Sequence, residues 1–335
     1  MLLKSSRRKQ YAIKSPNGIE QMEKRKIGGI WQYLYIRGEN KKNPVILFLH
    51  GGPGSSMMPF IPDFQFGWEK DFTVVQWDQR NTGKTLKANN PEEVANTATI
   101  TQMLADTLEV VRYLTQKLGK EKVIILGHSW GSVLGTLFVK KYPQYVSGYI
   151  GVGQVVSFRK NEQVGFNKVM ACAKAQGATK HIEKLKSLEP YPALQYTQEE
   201  LKRLMQVRQI QQKYNLAMGP DLKLVSTVFL SPYMSIKEGM SFTSDIGKNY
   251  RKLWPFLYDE YDLERYSTEY KVPVIYIMGE EDWQTPYSLA KAYFEKIEAP
   301  YKKFKSIPAA GHATMIDQPE LFTKAILELK EAISL

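Results

Sequence analysis

"VIILGHSWGSVLG" runs from Val123 to Gly135. Four apolar residues lead into Gly127, Ser129 stands between His128 and Trp130, and Gly131 opens a run of small and apolar residues. The apolar run reads as a strand buried on both faces, and the segment after it as a helix. A serine on so sharp a strand-to-helix turn occupies strained backbone, and side chains at 127 and 131 are expected to collide with chains passing close by. The pattern is G-x-S-x-G, a nucleophile elbow. Three fixed residues at average usage recur by chance in about one chain of this length in ten. The buried strand before it and the helix after it therefore decide the reading: Ser129 is a candidate nucleophile rather than a helix-capping serine.

Working outward, "NPVILFLHGGPG" repeats the arrangement, with a continuous apolar run at Val45–Leu49 ending in a glycine-rich loop. "DFTVVQWDQRNTG" gives a strand near Phe72 to Trp77 and then a polar loop, and "GIWQYLYIR", Gly29–Arg37, alternates as a half-buried strand does. Ile100, Met103, Leu104, Leu108, Val111 and Leu114 fall at helical spacing. Further strands are expected in "YVSGYIGVG", in "VPVIYIMG" ending at Gly279, and near "YKKFKSIP". Buried strands alternating with helices predict a mainly parallel sheet with helices on both faces, its ligands gathering at the loops beyond the strand carboxyl ends. From about Val156 to Tyr270 the strand signal lapses into amphipathic stretches. One of them, "TQEELKRLMQVRQIQQKYNL", opens with a capping box at Thr197–Glu200 and places Leu201, Leu204 and Met205 on one face. The expected organisation is an α/β core over 1–156 and 271–335, interrupted by a helical cap over 157–270.

The 335 residues are 43% hydrophobic, enough for a sizeable core. Lys and Arg number 46 against 34 Asp and Glu, a balance of +12 that is densest in the first forty-odd residues. Spread in this way and without a binding motif, it reads as a solvated basic surface, with no nucleic-acid partner. The N-terminus has no apolar run of secretory type, and no stretch approaches the ~18 apolar residues of a membrane span, so a cytoplasmic protein is expected. The single cysteine, Cys172, can form no internal disulfide and reads as a buried, inert thiol. No metal or organic cofactor is implied.

A serine hydroxyl needs a base to become a nucleophile. Of four histidines, His50 lies in the glycine-rich loop, His128 adjoins the serine with its side chain expected to point elsewhere, and His181 lies in the insertion. His312, in "PAAGHATM" after the last strand, remains. Its acid partner is expected between serine and histidine in chain order. "IYIMGEEDWQTP" offers Asp282, with Glu281 as the alternative. The chemistry expected is acyl transfer: Ser129 attacks, His312 carries the proton, Asp282 holds the imidazole, and backbone N–H groups of Trp130 and Gly52 receive the oxyanion.

With these residues in place, the chain resembles the α/β-hydrolase superfamily, and within it the prolyl iminopeptidases, serine aminopeptidases of the S33 type. "HGGPG" at His50–Gly54, "DQRNTGKT" at Asp78–Thr85, "GHSWGS" and Gly279-x-x-Asp282 with Gly311-His312 carry the likeness, while Asn81 and His128 stand where that family has glycines. The resemblance implies release of N-terminal proline or another residue from small peptides, with cap carboxylates gripping the substrate's amino group. Glu162, Glu238, Asp245 and Glu260 are the candidates in the insertion. Esterases share the core motifs, so a small-ester hydrolase is the alternative, and a non-catalytic ligand-binding member of the fold a third reading. Epoxide hydrolases and haloalkane dehalogenases of the fold carry an aspartate at the elbow, which Ser129 argues against.

Overall fold

The computed structural model describes residues 9–217, 222–235, 238–239 and 250–334. Eight strands form one sheet in the order β1-β2-β4-β3-β5-β6-β7-β8. β1 (Ile19–Ile27) and β2 (Ile30–Gly38) make an antiparallel hairpin, and β2 also runs antiparallel to β4 (Thr73–Asp78). β3 (Val45–Leu49), β5 (Val123–His128), β6 (Val146–Val152), β7 (Val274–Gly279) and β8 (Lys302–Ile307) continue it in parallel. The mainly parallel sheet expected from the apolar runs is present, with β1 added to it. β1, "IEQMEKRKI", has apolar residues turned inward only at its two ends, so it carries no strand-like alternation. β1 and β8 are the two edges, and both carry exposed lysines.

The apolar runs divide by alternation into two layers of core. Val45, Leu47, Leu49, Val123, Ile125 and Tyr149 face one side, where α1 (Ile100–Leu118) and α2 (Trp130–Lys141) pack. Ile46, Phe48, Ile124, Leu126, Ile150 and Ile277 face the other, against Phe322, Ile326 and Leu329 of α8 (Pro319–Ser334). Period-two alternation in a sheet covered on both faces produces this division. α1 is bounded by Thr99, whose hydroxyl accepts from the Gln102 N–H, and by Gly119 in a left-handed conformation, an N-cap and a C-cap.

Between β6 and β7 the described residues form helices and no strand: α3 (Phe158–Ala175), α4 (Thr179–Lys186), α5 (Gln198–Gln212) and α6 (Leu222–Leu230). Phe166, Val169, Leu185, Leu188, Val207 and Ile210 make a small core of their own there, and Cys172 packs against it half-buried with its thiol free. Thr197 caps α5 as expected, accepting from the Glu200 N–H at 3.2 Å. The Glu200 carboxylate does not complete the capping box and instead accepts from the Ala193 N–H and the Tyr258 hydroxyl. The expected apolar face is also corrected: Leu204 is buried, but Met205 is 56% exposed, and the inward face runs through Glu200, Leu204, Val207 and Gln211. α7 (Tyr287–Glu295) follows β7.

Candidate active site

The loops after β3, β5 and β7 and the segment after β8 converge at the carboxyl edge of the sheet. Ser129 follows β5 directly, at φ 55 and ψ −120, and begins α2. Its N–H donates to the Val152 carbonyl at 3.0 Å, and its carbonyl accepts from the Ser132 N–H at 2.8 Å and the Ser132 hydroxyl at 2.6 Å. The strained conformation is thus held from both sides. The two flanking glycines are required by close approach: a Cβ on Gly131 would overlap the Leu49 carbonyl of β3, and one on Gly127 the Gly131 carbonyl.

His312 lies between β8 and α8, 9% exposed. Its Nδ1 is 2.9 Å from Oδ2 of Asp282, which sits buried in the loop after β7. Asp282 also accepts from the Thr285 hydroxyl at 2.6 Å and from the N–H groups of Gln284 and Thr285, each at 2.9 Å. Burial works against this carboxyl's ionisation, but the His312 charge and these hydrogen bonds outweigh it and hold the group below the usual carboxylate range. Glu281, the alternative, is exposed, and no contact joins it to His312.

A cavity of about 110 Å³ is lined by Ser129, Trp130, Gly52 and His312 together. Gly52 adopts φ +110 in the glycine-rich loop. Trp130 is the first residue of α2, where N–H groups have no acceptor within the helix. Val133, Val155, Phe158, Leu204, Trp254 and Leu257 make most of the cavity apolar, and Asn161, Arg208, Gln284 and Thr285 are its polar members.

Two residues at this edge do more than the sequence suggested. His128 does point away from the cavity side of Ser129, but its Nε2 donates to the His312 carbonyl at 2.8 Å and its ring packs 4.9 Å from the His312 ring. Burial, reinforced by the His312 charge, pushes its pKa down to about 3, so the ring is a neutral strut. Gln79, from the "DQRNTGKT" stretch, accepts from the Trp130 indole N–H at 3.1 Å and donates through its own backbone N–H to His50 Nε2 at 3.3 Å. It joins the glycine-rich loop to the elbow. Nothing in the sequence marks His128 for this task; for Gln79 the family-like stretch was the signal, without the role. Arg80 beside it forms a buried two-pronged ion pair with Asp106, at 2.9 and 3.0 Å.

Of the insertion's carboxylates, Glu238 pairs with Lys84 at 2.8 Å, Glu260 is exposed, and Asp245 lies outside the described residues. Glu162 is buried, accepting from the Tyr191 hydroxyl at 2.6 Å and ion-paired with Arg208; burial pushes its carboxyl above the usual range even so. None of the carboxylates among the described residues lines the cavity. His181 does not line the cavity and is hydrogen-bonded to the Tyr214 hydroxyl. Among the described residues no group of three or more His, Cys, Asp or Glu is placed to hold a metal ion, and no helix is long and apolar enough to cross a membrane.

A sequence model of the alpha/beta hydrolase fold matches residues 44–319. The chain belongs to the α/β-hydrolase fold family. Among this hydrolase's relatives is a probable aminopeptidase, YbaC, of Bacillus subtilis (strain 168), 26% identical over 314 residues that cover 94% of this chain and 97% of that one. A proline iminopeptidase of Lactobacillus delbrueckii subsp. bulgaricus is 24% identical, covering 87% of this chain and 91% of its own. In architecture the hydrolase is similar to a proline iminopeptidase-related protein from Thermus thermophilus, with a TM-score of 0.63, 24% identity, and coverage of 94% and 98%.

Proposed function

We propose that the protein is a serine hydrolase in which Ser129, His312 and Asp282 act as a catalytic triad on small acyl substrates. The observation that carries this is the 2.9 Å contact of His312 Nδ1 with a buried, ionised Asp282, on an imidazole sharing one cavity with Ser129. With Nδ1 so engaged, Nε2 is the nitrogen left to take the Ser129 proton. Ser129 Oγ attacks the carbonyl carbon, and the tetrahedral oxyanion is received by the N–H groups of Trp130 and Gly52. His312 then returns the proton to the departing amine or alcohol, leaving an acyl-enzyme. Water repeats the sequence, with His312 as base, and restores Ser129. Residues 157–270 act as the cap over this chemistry, since Phe158, Leu204, Trp254 and Leu257 close the cavity.

The names of the relatives support an aminopeptidase that releases N-terminal proline or another residue. One observation favours the second reading, an esterase: no described carboxylate lines the cavity to meet a substrate ammonium. A panel of aminoacyl arylamides and short-chain nitrophenyl esters, run on the wild type and on Ser129→Ala, tests both. Substitution is expected to lower turnover by several orders of magnitude, as in other triads. Retained turnover, or no labelling of Ser129 by a fluorophosphonate, would overturn the proposal. Cleavage of esters alone would remove the peptidase reading.

A further inference from the structure

The cavity that Ser129 lines is also lined by Asn161 and Arg208, polar residues that the proposed chemistry does not use. Asn161, in the first turn of α3, is only 3% exposed, and its backbone N–H donates to the Ser157 carbonyl. Its side-chain amide has no hydrogen-bond partner among the described residues, although it lines the cavity. An amide so placed is free to donate to, or accept from, a group that enters the cavity. Arg208, on α5, is held in place from behind. One terminal nitrogen donates to Gln211 Oε1 at 2.5 Å, and the other to Glu162. A guanidinium has five N–H donors, so three remain beyond these two bonds.

The charge presented to the cavity follows from this arrangement. Glu162 has one carboxylate oxygen on Arg208 and the other on the Tyr191 hydroxyl, and it is not among the residues lining the cavity, whereas Arg208 is. Of the ion pair, the cationic residue is therefore the one that borders the cavity. An ammonium placed there would meet a cation and find no free carboxylate among the described residues. A carboxylate would find the planar guanidinium fork it matches in two-pronged fashion, together with an amide N–H from Asn161.

We propose that Arg208 and Asn161 form a receptor for a carboxylate on the substrate. This rests on the reading of the cavity as the acyl-transfer site. The carboxylate has two possible sources. It is either the far end of the acyl part, as in a dicarboxylic half-ester, or the C-terminus of the residue that departs from a dipeptide.

The test compares matched pairs of substrates. One arm sets nitrophenyl hemiglutarate against nitrophenyl pentanoate, and the other sets the dipeptide prolyl-alanine against its C-terminal amide. Each arm is run on the wild type, on Asn161→Leu, and on the double variant Arg208→Gln with Glu162→Gln, which avoids stranding a buried carboxylate. The wild type is expected to prefer the carboxylate member of one arm by about ten- to a hundredfold in kcat/KM, the worth of one or two charge-assisted hydrogen bonds. Both variants should bring that ratio toward one. The preferred arm identifies the source. In parallel, glutarate is titrated into Ser129→Ala, with and without the double substitution, by the fluorescence of Trp130 and Trp254, which line the cavity. Binding of glutarate that the double substitution abolishes supports the receptor even if no substrate turns over, in which case only the hydrolase reading falls. Equal rates within both arms together with no glutarate binding, or a preference that survives in both variants, overturns the receptor.

Discussion

For the proposed triad, His128 acts through the backbone of another residue. Donation from its Nε2 to the His312 carbonyl fixes the height at which the second imidazole stands over the sheet edge. Replacing His128 with Leu removes that donor, and kcat is expected to fall by about ten- to a hundredfold, the range for a misplaced reacting group. His128→Gln, whose amide nitrogen reaches a similar position, should recover most of the loss. Because the ring is neutral down to about pH 3, the shape of the pH–rate profile should be the same in all three forms. A profile that moved with the substitution would make His128 a titrating participant rather than a support. At this scale the sequence was informative wherever chemistry restricts residue type. The candidates Ser129, His312 and Asp282 were named from flanking glycines, the scarcity of histidines and chain order, and the structure puts Ser129 and His312 on one cavity with Asp282 2.9 Å from His312 Nδ1. His128 was set aside because its role is defined by a carbonyl 184 residues away, which no local pattern encodes.

Among the elements, the decisive contact is the crossing of α2 over β3. Leu49 pairs in register with Gly127, and the first turn of α2 then passes so close to the end of β3 that Gly131 has room for a hydrogen only. Gly131→Ala must push helix and strand apart at the point where Ser129 is held. The expected result is a loss of more than about 4 kcal/mol in urea unfolding, or no soluble protein, because the atom met is rigid backbone. A near-normal unfolding midpoint would show that the crossing relaxes easily. The interior strands were legible because burial on both faces demands unbroken apolar runs. The helix α5 and its Thr197 cap were legible too, but its inward face was not, because that face includes Glu200 and Gln211. Glu200 is admitted to the interior by the Tyr258 hydroxyl, 58 residues away, and by the Ala193 N–H, and so the apparent apolar stripe drifted toward exposed Met205.

For the molecule as a whole, Asp78 ties acidity to stability. It accepts from the Ser56 hydroxyl at 2.5 Å and from the Lys84 N–H at 2.7 Å, but burial pushes its pKa from 3.8 up to about 6. Between those values the folded chain holds a proton that the unfolded chain has released, so this group's contribution to stability falls as pH rises through the window, by about 3 kcal/mol in all. Asp282, held low, contributes in the opposite sense, so the difference between wild type and Asp78→Asn is the quantity to measure. In urea unfolding at pH 4 and pH 8, the variant should gain on the wild type at the higher pH; an equal difference at both would refute the assignment. The mainly parallel sheet was readable at this scale because its interior strands carry continuous apolar runs. The packing of the helices between β6 and β7 was not, since the small core around Val169 and Val207 is closed by separate helices. The basic excess of the sequence also finds a physical use in the sheet's two unpaired margins. Lys24, Arg25 and Lys26 on β1 and Lys302 and Lys303 on β8 are exposed there, and any strand joining from a neighbouring molecule would have to strip water from those cations. An eight-stranded sheet left open on both sides is thereby kept from growing by addition of further copies.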